Sequence, residues 1–361
     1  MGIQPKKYQI NIDPRILELL GPNLYTNIYY VLAELVANAY DANAKNVYII
    51  SDNSTITVED DGNGMTYESG VKKFLNVAQE SRTNEEDLYV EGSNRLRKKM
   101  GRKGVGKLAA LAVSKEVEVK TIRGGDKSGF ILSREVGEDH SLEPIEEEDI
   151  QFLSVRDHGT AIVMKAPQYK IHKTLNAAKK NLLKIFPLVN QDFQIHLQIG
   201  NKKEVIDSFE QEIINALGCL ITLGDEFSFL NNSFNSQLLM SSEKEDSLNI
   251  KKQAYVKKLK LERKDGEEAE FSLEIKGWIG AYRSSRGKKK DQTDFPDNFI
   301  SIISNKKLGE FNILPLVGKN ALNEVYVVGQ LHIDLFEETT LPDMACSGQV
   351  FLATDLEQFA Q

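Results

Sequence analysis

Two hydrophobic periods divide this chain into elements. In Ala33–Ala44, AELVANAYDANA, the polar residues Glu34, Asn38 and Asp41 fall at i, i+4 and i+7, on one face of a helix. Val31, Leu32, Leu35, Val36 and Ala39 flank them, which predicts a helix packed into a core. Ahead of it, Tyr8–Ile12 alternates as a short strand, and Asp13-Pro14 supplies the cap and first-turn proline of a helix through Leu20, stopped by Gly21-Pro22-Asn23. Behind it, Asn46–Ser51 and Ser54–Glu59 read as strands joined at Asp52-Asn53. Helices are expected at Val71–Gln79, at the apolar run LAALAV after Lys107, and at Ile171–Phe186, ended by Pro187. Strands are expected at Glu116–Thr121, Gly129–Arg134, Thr160–Lys165 and Phe193–Ile199. The pattern is that of an α+β fold, an antiparallel sheet backed by helices.

The second half is strand-rich, with strands expected at Tyr255–Leu261, Phe271–Ile279, Phe299–Ser304 and Val325–Ile333. A length of 361 residues suggests about two domains. The expected boundary is Asn201–Lys203, giving domains of residues 1–203 and 204–361. The acidic run Glu146–Asp149 and the charged stretch Ser284–Asp294 read as solvated loops, and Glu80–Met100, polar and ending in Arg95, Arg97, Lys98 and Lys99, as a mobile segment.

Composition narrows the function classes. Forty-five basic against fifty-three acidic residues leave a net charge of −8, so contact with DNA would need a local basic patch. Cys219 and Cys346 lie far apart without metal-ligand spacing, which speaks against zinc or a disulfide framework. The start carries no signal-peptide core and no apolar run reaches membrane-spanning length, so a cytoplasmic protein is expected.

Two glycine-bearing stretches carry candidate chemistry. Asp60-Asp61-Gly62-Asn63-Gly64-Met65 closes the second strand; its glycines permit close backbone approach, although plain turns share this look. Gly101-Arg102-Lys103-Gly104-Val105-Gly106-Lys107 feeds a helix N-terminus, which offers free N–H groups and a positive dipole end to phosphate. The same loop fits G-x-x-x-x-G-K and G-x-G-x-x-A. Leu108 stands where a P-loop needs Ser or Thr, however, and the upstream SNRLRKKM is no hydrophobic strand.

The segments ELVANAYDA, DDGNGM and GRKGVGK and the dipeptide Gly159-Thr160 occur in the order and approximate spacing of the GHKL superfamily, which the chain resembles from Glu34 to Thr160. That superfamily comprises gyrase, heat-shock chaperones, histidine kinases and MutL. The resemblance is nearest to MORC-like and chaperone-like bacterial ATPases, through LGPNLYTNIYYVLAELVANAYDA, GRKGVGKLA, and Phe74-Leu75-Asn76-Val77 with Ser81-Arg82. It implies a GHKL α/β sandwich followed by an S5-like transducer domain. It also implies Mg²⁺-dependent ATP hydrolysis, an ATP-dependent homodimer, a lid over Glu80–Met100, and a role in bacterial defence or near DNA.

By this resemblance Glu34 is the general base and Asn38 the Mg²⁺ ligand, with Asp41 supporting the site. Asp60 accepts a hydrogen bond from the adenine amino group, beside a water that Thr160 shares. Gly62 and Gly64 let the chain pass the base, on which Met65 packs. Gly101, Gly104, Val105, Gly106 and Lys107 surround the phosphates. The chain departs from its relatives at MACSGQVF, where Ser347 or Gly348 replaces a cation expected near the γ-phosphate; Lys306, Lys307 or Lys319 are substitutes. Slow turnover is therefore expected. The rival expectations are a nucleotide-sensing scaffold with negligible hydrolysis and a histidine-kinase activity. The second lacks support, because those enzymes characteristically lack the Glu34 type of base.

Overall fold

A computed structural model describes residues 8–9, 25, 27–76, 88–93, 97–100, 106–134, 141–155, 157–186, 192–208, 213–239, 248–263, 266–284, 296–304, 306–317 and 324–335. The chain forms two compact units, Met1–Asp207 and Ser208–Gln361. The expected helix before Leu20, the glycines Gly101 and Gly104, Val105, Lys319, Cys346 and the MACSGQVF stretch lie outside the described residues.

The first unit is a nine-stranded sheet backed by helices. Its strands are β1 (Tyr8–Gln9), β2 (Asn46–Ser51), β3 (Thr55–Asp60), β4 (Glu116–Arg123), β5 (Asp126–Ser133), β6 (Ser141–Pro144), β7 (Gly159–Lys165), β8 (Gln194–Ile199) and β9 (Lys202–Ile206). They lie in the order β1-β6-β5-β4-β7-β3-β2-β8-β9, antiparallel throughout except for β2 against β8. The strand β9 runs back along β8 through a turn at Gly200, φ +56°, so the first unit ends a few residues beyond the boundary read from the sequence.

Helix α1 (Ile28–Asp41) occupies the centre of the helical layer. Asn27 caps it, its side chain accepting the Tyr29 N–H at 2.9 Å. Ile28, Val31, Leu32, Leu35 and Val36 are all 4 % exposed or less. Side chains of this size contribute about 1.5–3 kcal/mol each when buried. Around it pack α3 (Ala109–Val113), wholly buried, and α4 (Leu175–Ile185), capped by Thr174 through the Ala177 N–H. The helix expected over Val71–Gln79 is shorter where described. Thr66 C=O accepts both Gly70 and Val71 N–H at 2.9 Å, making a wide turn over Tyr67–Val71 before α2 (Lys72–Leu75). Glu146–Asp149 is an exposed stretch, as its charge predicts.

The second unit has seven strands, β10 (Leu217–Leu223), β11 (Leu248–Lys252), β12 (Tyr255–Glu262), β13 (Glu268–Tyr282), β14 (Phe299–Ser304), β15 (Lys307–Glu310) and β16 (Val327–His332). Their order is β11-β10-β13-β16-β14-β15. The long strand β13 pairs with β12 along its first half and with β10 and β16 along its second. Leu273, Ile300, Ile302, Ile313, Ile333 and Leu335 form a core, and α5 (Ser228–Leu239) lies on β10, where Thr222 donates to Asn231 at 2.6 Å.

Candidate active site

The polar face of α1 meets backbone at both ends. Glu34 is only 5 % exposed. A Cβ added to Gly106 would lie 2.2 Å from its Oε2, so the Gly106 backbone rests against the carboxylate. Two turns on, Asp41 accepts the Met100 N–H at 2.7 Å. Residues separated by seven positions stand ~10 Å apart along a helix. The chain thus touches this face at Asp41, just before the glycine loop, and again at Glu34, through Gly106 near the loop's end. Asn38, half-buried, stands between the two contacts.

A second cluster lies at the end of β3. Antiparallel partners share a face of the sheet, and the register aligns Asp60 with Thr160, Thr160 with Thr121, and Thr121 with Ser128 in one cross-strand row. Asp60 accepts the Gly62 N–H at 2.8 Å. Burial pushes its carboxyl up from an ordinary 3.8 to about 7; the N–H groups of Gly62 and Thr160 oppose this, and the charges of Asp61 and Glu59 reinforce it. A buried carboxyl at a strand end, poised between its charged and neutral forms, is suited to hydrogen-bond recognition.

Close packing explains the glycines beside it. A Cβ on Gly62 would lie 2.7 Å from the Ala42 carbonyl oxygen. Gly64 has φ +63°, and a Cβ there would come within 2.1 Å of Ile122 O. The loop is also held to α1, since Asn63 N–H donates to Ala42 O at 2.7 Å. Met65 is partly exposed, its N–H bound to Thr121 Oγ1 at 2.8 Å.

The adjacent acid behaves differently. Asp61 accepts the Lys45 and Asn46 N–H groups and the Asn46 side-chain amide at 2.7–2.8 Å, so it ties down the link between α1 and β2. Of the two acids, it is Asp60 that sits buried in the polar row.

The segment read as mobile is partly anchored. Its described limbs, residues 88–93 and 97–100, pair through Val90 N–H to Arg97 O and Lys99 N–H to Leu88 O, both 2.9 Å. The Arg97 guanidinium donates to Ala44 O at 2.6 Å and Asp192 O at 3.1 Å, over the Tyr40 ring at 4.9 Å. The Glu91 carboxylate pairs with Arg123 at 2.7 Å, and its backbone carbonyl accepts from Asn63 Nδ2 at 3.0 Å. Local composition placed Arg97 among four cations ending a mobile segment, whereas its partners are 53 and 95 residues away.

Sequence reading also passed over Thr121 and Ser128, both 0 % exposed. The one available signal was alternation: Thr121 shares the parity of the buried Val117 and Val119 on β4. Lys107 is described in its backbone alone, at the turn Gly106–Leu108 that opens α3. Lys306 is exposed in the β14–β15 turn with φ +64°. Among the described residues, no three His, Cys, Asp or Glu side chains form a metal cluster.

A helix bearing a buried acid against Gly106 and a strand end bearing a second buried acid belong to one helix-and-sheet sandwich. Residues 25–160 match the family of histidine kinase-, DNA gyrase B- and HSP90-like ATPases, and the first unit is a domain of this GHKL superfamily. Over 350 residues, 95 % of this chain, the sequence is 26 % identical to a putative type II restriction enzyme, HgiDII, of Herpetosiphon aurantiacus. It is 26 % identical over 63 % of its length to the chaperone protein HtpG of Buchnera aphidicola, and 32 % identical over 32 % of its length to HtpG of Shewanella putrefaciens. The chain spans 51 %, 40 % and 21 % of these three relatives.

Proposed function

We propose that the first unit binds Mg-ATP and hydrolyses it slowly, in a switch whose closed state is an ATP-bound dimer. The observation that carries this reading is the pair of contacts on the polar face of α1, Gly106 against Glu34 and Met100 on Asp41. They bring the ends of a glycine loop to a face that carries a base candidate and an amide. The family match supports ATP as the ligand.

In this reading Glu34 orients and deprotonates the attacking water, a role worth about 10² to 10⁴ in rate. The donor set fits magnesium, which keeps waters and phosphate oxygens in its shell and needs few protein ligands. Asn38 would hold the ion, which supplies charge neutralisation at the phosphates when bound. Backbone N–H groups of the loop that includes Gly101, Gly104, Val105 and Gly106 bind phosphate oxygens, with Lys107 adding charge. Asp60 and Thr160 read the adenine edge; Gly62, Gly64 and Met65 wall the base. Lid closure falls to the stretch Glu80–Met100.

The second unit, residues 204–361 in the sequence reading, acts as an S5-like transducer. A DNA-associated role is supported by the restriction-enzyme relative, which aligns along nearly the whole chain; a cytoplasmic location and a part in bacterial defence belong to the same proposal. Among the described residues no helix is long and apolar enough to cross a membrane.

The test is Glu34→Ala. Calorimetry with Mg-ATP should show binding retained, while phosphate release falls to background. Equal turnover in parent and variant would overturn hydrolysis and leave a nucleotide-sensing scaffold. Mass photometry with and without ATP tests the dimer: an unchanged mass would remove it.

A further inference from the structure

We infer that Thr121 is a positioning residue for base recognition, acting through the two backbone segments that its hydroxyl joins. This rests on the reading of the first unit as an ATP site and deepens it.

Thr121 lies in the middle of β4, 0 % exposed, in register with Thr160 on one side and Ser128 on the other. Its Oγ1 accepts the Met65 N–H at 2.8 Å and donates to the Gly159 carbonyl at 3.1 Å. A hydroxyl is both donor and acceptor, so one atom satisfies both groups. Met65 follows the Asp60–Gly64 loop, and Gly159 precedes Thr160. The two segments are 94 positions apart, both within the family match, and have no shared element.

Backbone packing makes the clip demanding. Gly159 has φ +122°, and a Cβ on it would meet Asp60 O at 1.9 Å; Gly64 is pressed equally close on Ile122 O. Loop, β4 and the start of β7 are therefore in backbone contact around the Thr121 hydroxyl. Valine would preserve the β-branched shape but leave a buried N–H and a buried C=O without this partner. The loop is then free to lift from β4, carrying Met65 and shifting Asp60 relative to Thr160. Glu34 and its contact with Gly106 lie on other elements and are untouched.

The experiment compares the parent with Thr121→Val and Thr121→Ser by Mg-ATP calorimetry and steady-state phosphate release. For Thr121→Val the expected result is KM and Kd for ATP raised on the order of tenfold, with kcat within about twofold. Preference for ATP over GTP should narrow in the same variant. Thr121→Ser keeps the hydroxyl and should restore both constants. Unchanged KM in folded Thr121→Val, or kcat lost with KM intact, would overturn the inference while leaving ATP binding standing. A parent that binds no Mg-ATP would instead sink the ATP reading beneath it. If Thr121→Val does not fold, Thr121→Cys, similar in volume with a weak donor and acceptor, serves; a parental KM there overturns the inference.

Discussion

Asp60→Asn separates recognition from stability because the two should move in opposite directions. In the folded protein the carboxyl titrates at about 7, against an ordinary 3.8, chiefly because it is buried. Between these values the folded chain holds a proton that the unfolded chain has released. The slope of unfolding free energy with pH follows protons bound unfolded minus folded, so stability falls as pH rises through this window and levels off above about 7. At about 1.4 kcal/mol per pH unit, the penalty above pH 7 is roughly 4 kcal/mol. Asparagine matches the shape, carries no charge, and keeps an oxygen for the Gly62 N–H. Its weaker acceptor strength gives back about 1 kcal/mol.

Thermal melts of parent and variant across pH 4 to 9 should therefore coincide near the acid end and diverge towards neutrality. Above pH 7 the variant should melt on the order of 10 °C higher, at 2–4 °C per kcal/mol for a unit of this size. Adenine binding by the variant should be weak throughout this range. With its oxygen on Gly62, the variant presents an amide N–H₂ where an acceptor is needed, and Mg-ATP affinity should fall on the order of 100-fold. A melting difference independent of pH would refute the buried titration. Unchanged calorimetric heat with Mg-ATP would refute the role of Asp60 in recognition.

Two further substitutions probe neighbouring contacts. Gly106→Ala places a methyl 2.2 Å from Glu34 Oε2, so it should abolish phosphate release while ATP still binds by calorimetry; parental turnover would show that the loop yields without moving the base. Asp61→Ala removes three hydrogen bonds at the α1–β2 link and should cost about 2 kcal/mol in urea denaturation, with ATP affinity within about threefold of the parent. Loss of binding without loss of stability would reverse the roles assigned to the two acids.

The amino-acid sequence by itself determined what depends on neighbours a few residues away. The i, i+4, i+7 spacing placed Glu34, Asn38 and Asp41 on one helical face, and period-two alternation located β2, β3 and β7 to within a residue. The Asp52 turn was legible because its carboxylate serves residues two and three positions on: it accepts the Ser54 and Thr55 N–H groups. Tertiary structure decided whatever rests on chain crossings. Only the family resemblance separates Asp60 from Asp61 in a linear reading; the pairing of β3 with β7 buries the first in a polar row, and the link between α1 and β2 engages the second. Arg97 reads as one cation in a mobile segment until the fold brings Ala44 and Asp192 to its guanidinium. Thr121, unremarkable between a lysine and an isoleucine, gains its importance from two backbone groups 56 and 38 positions away. Such assignments follow from hydrogen-bond partners that only chain closure brings within 3 Å, and periodicity carries no information about them.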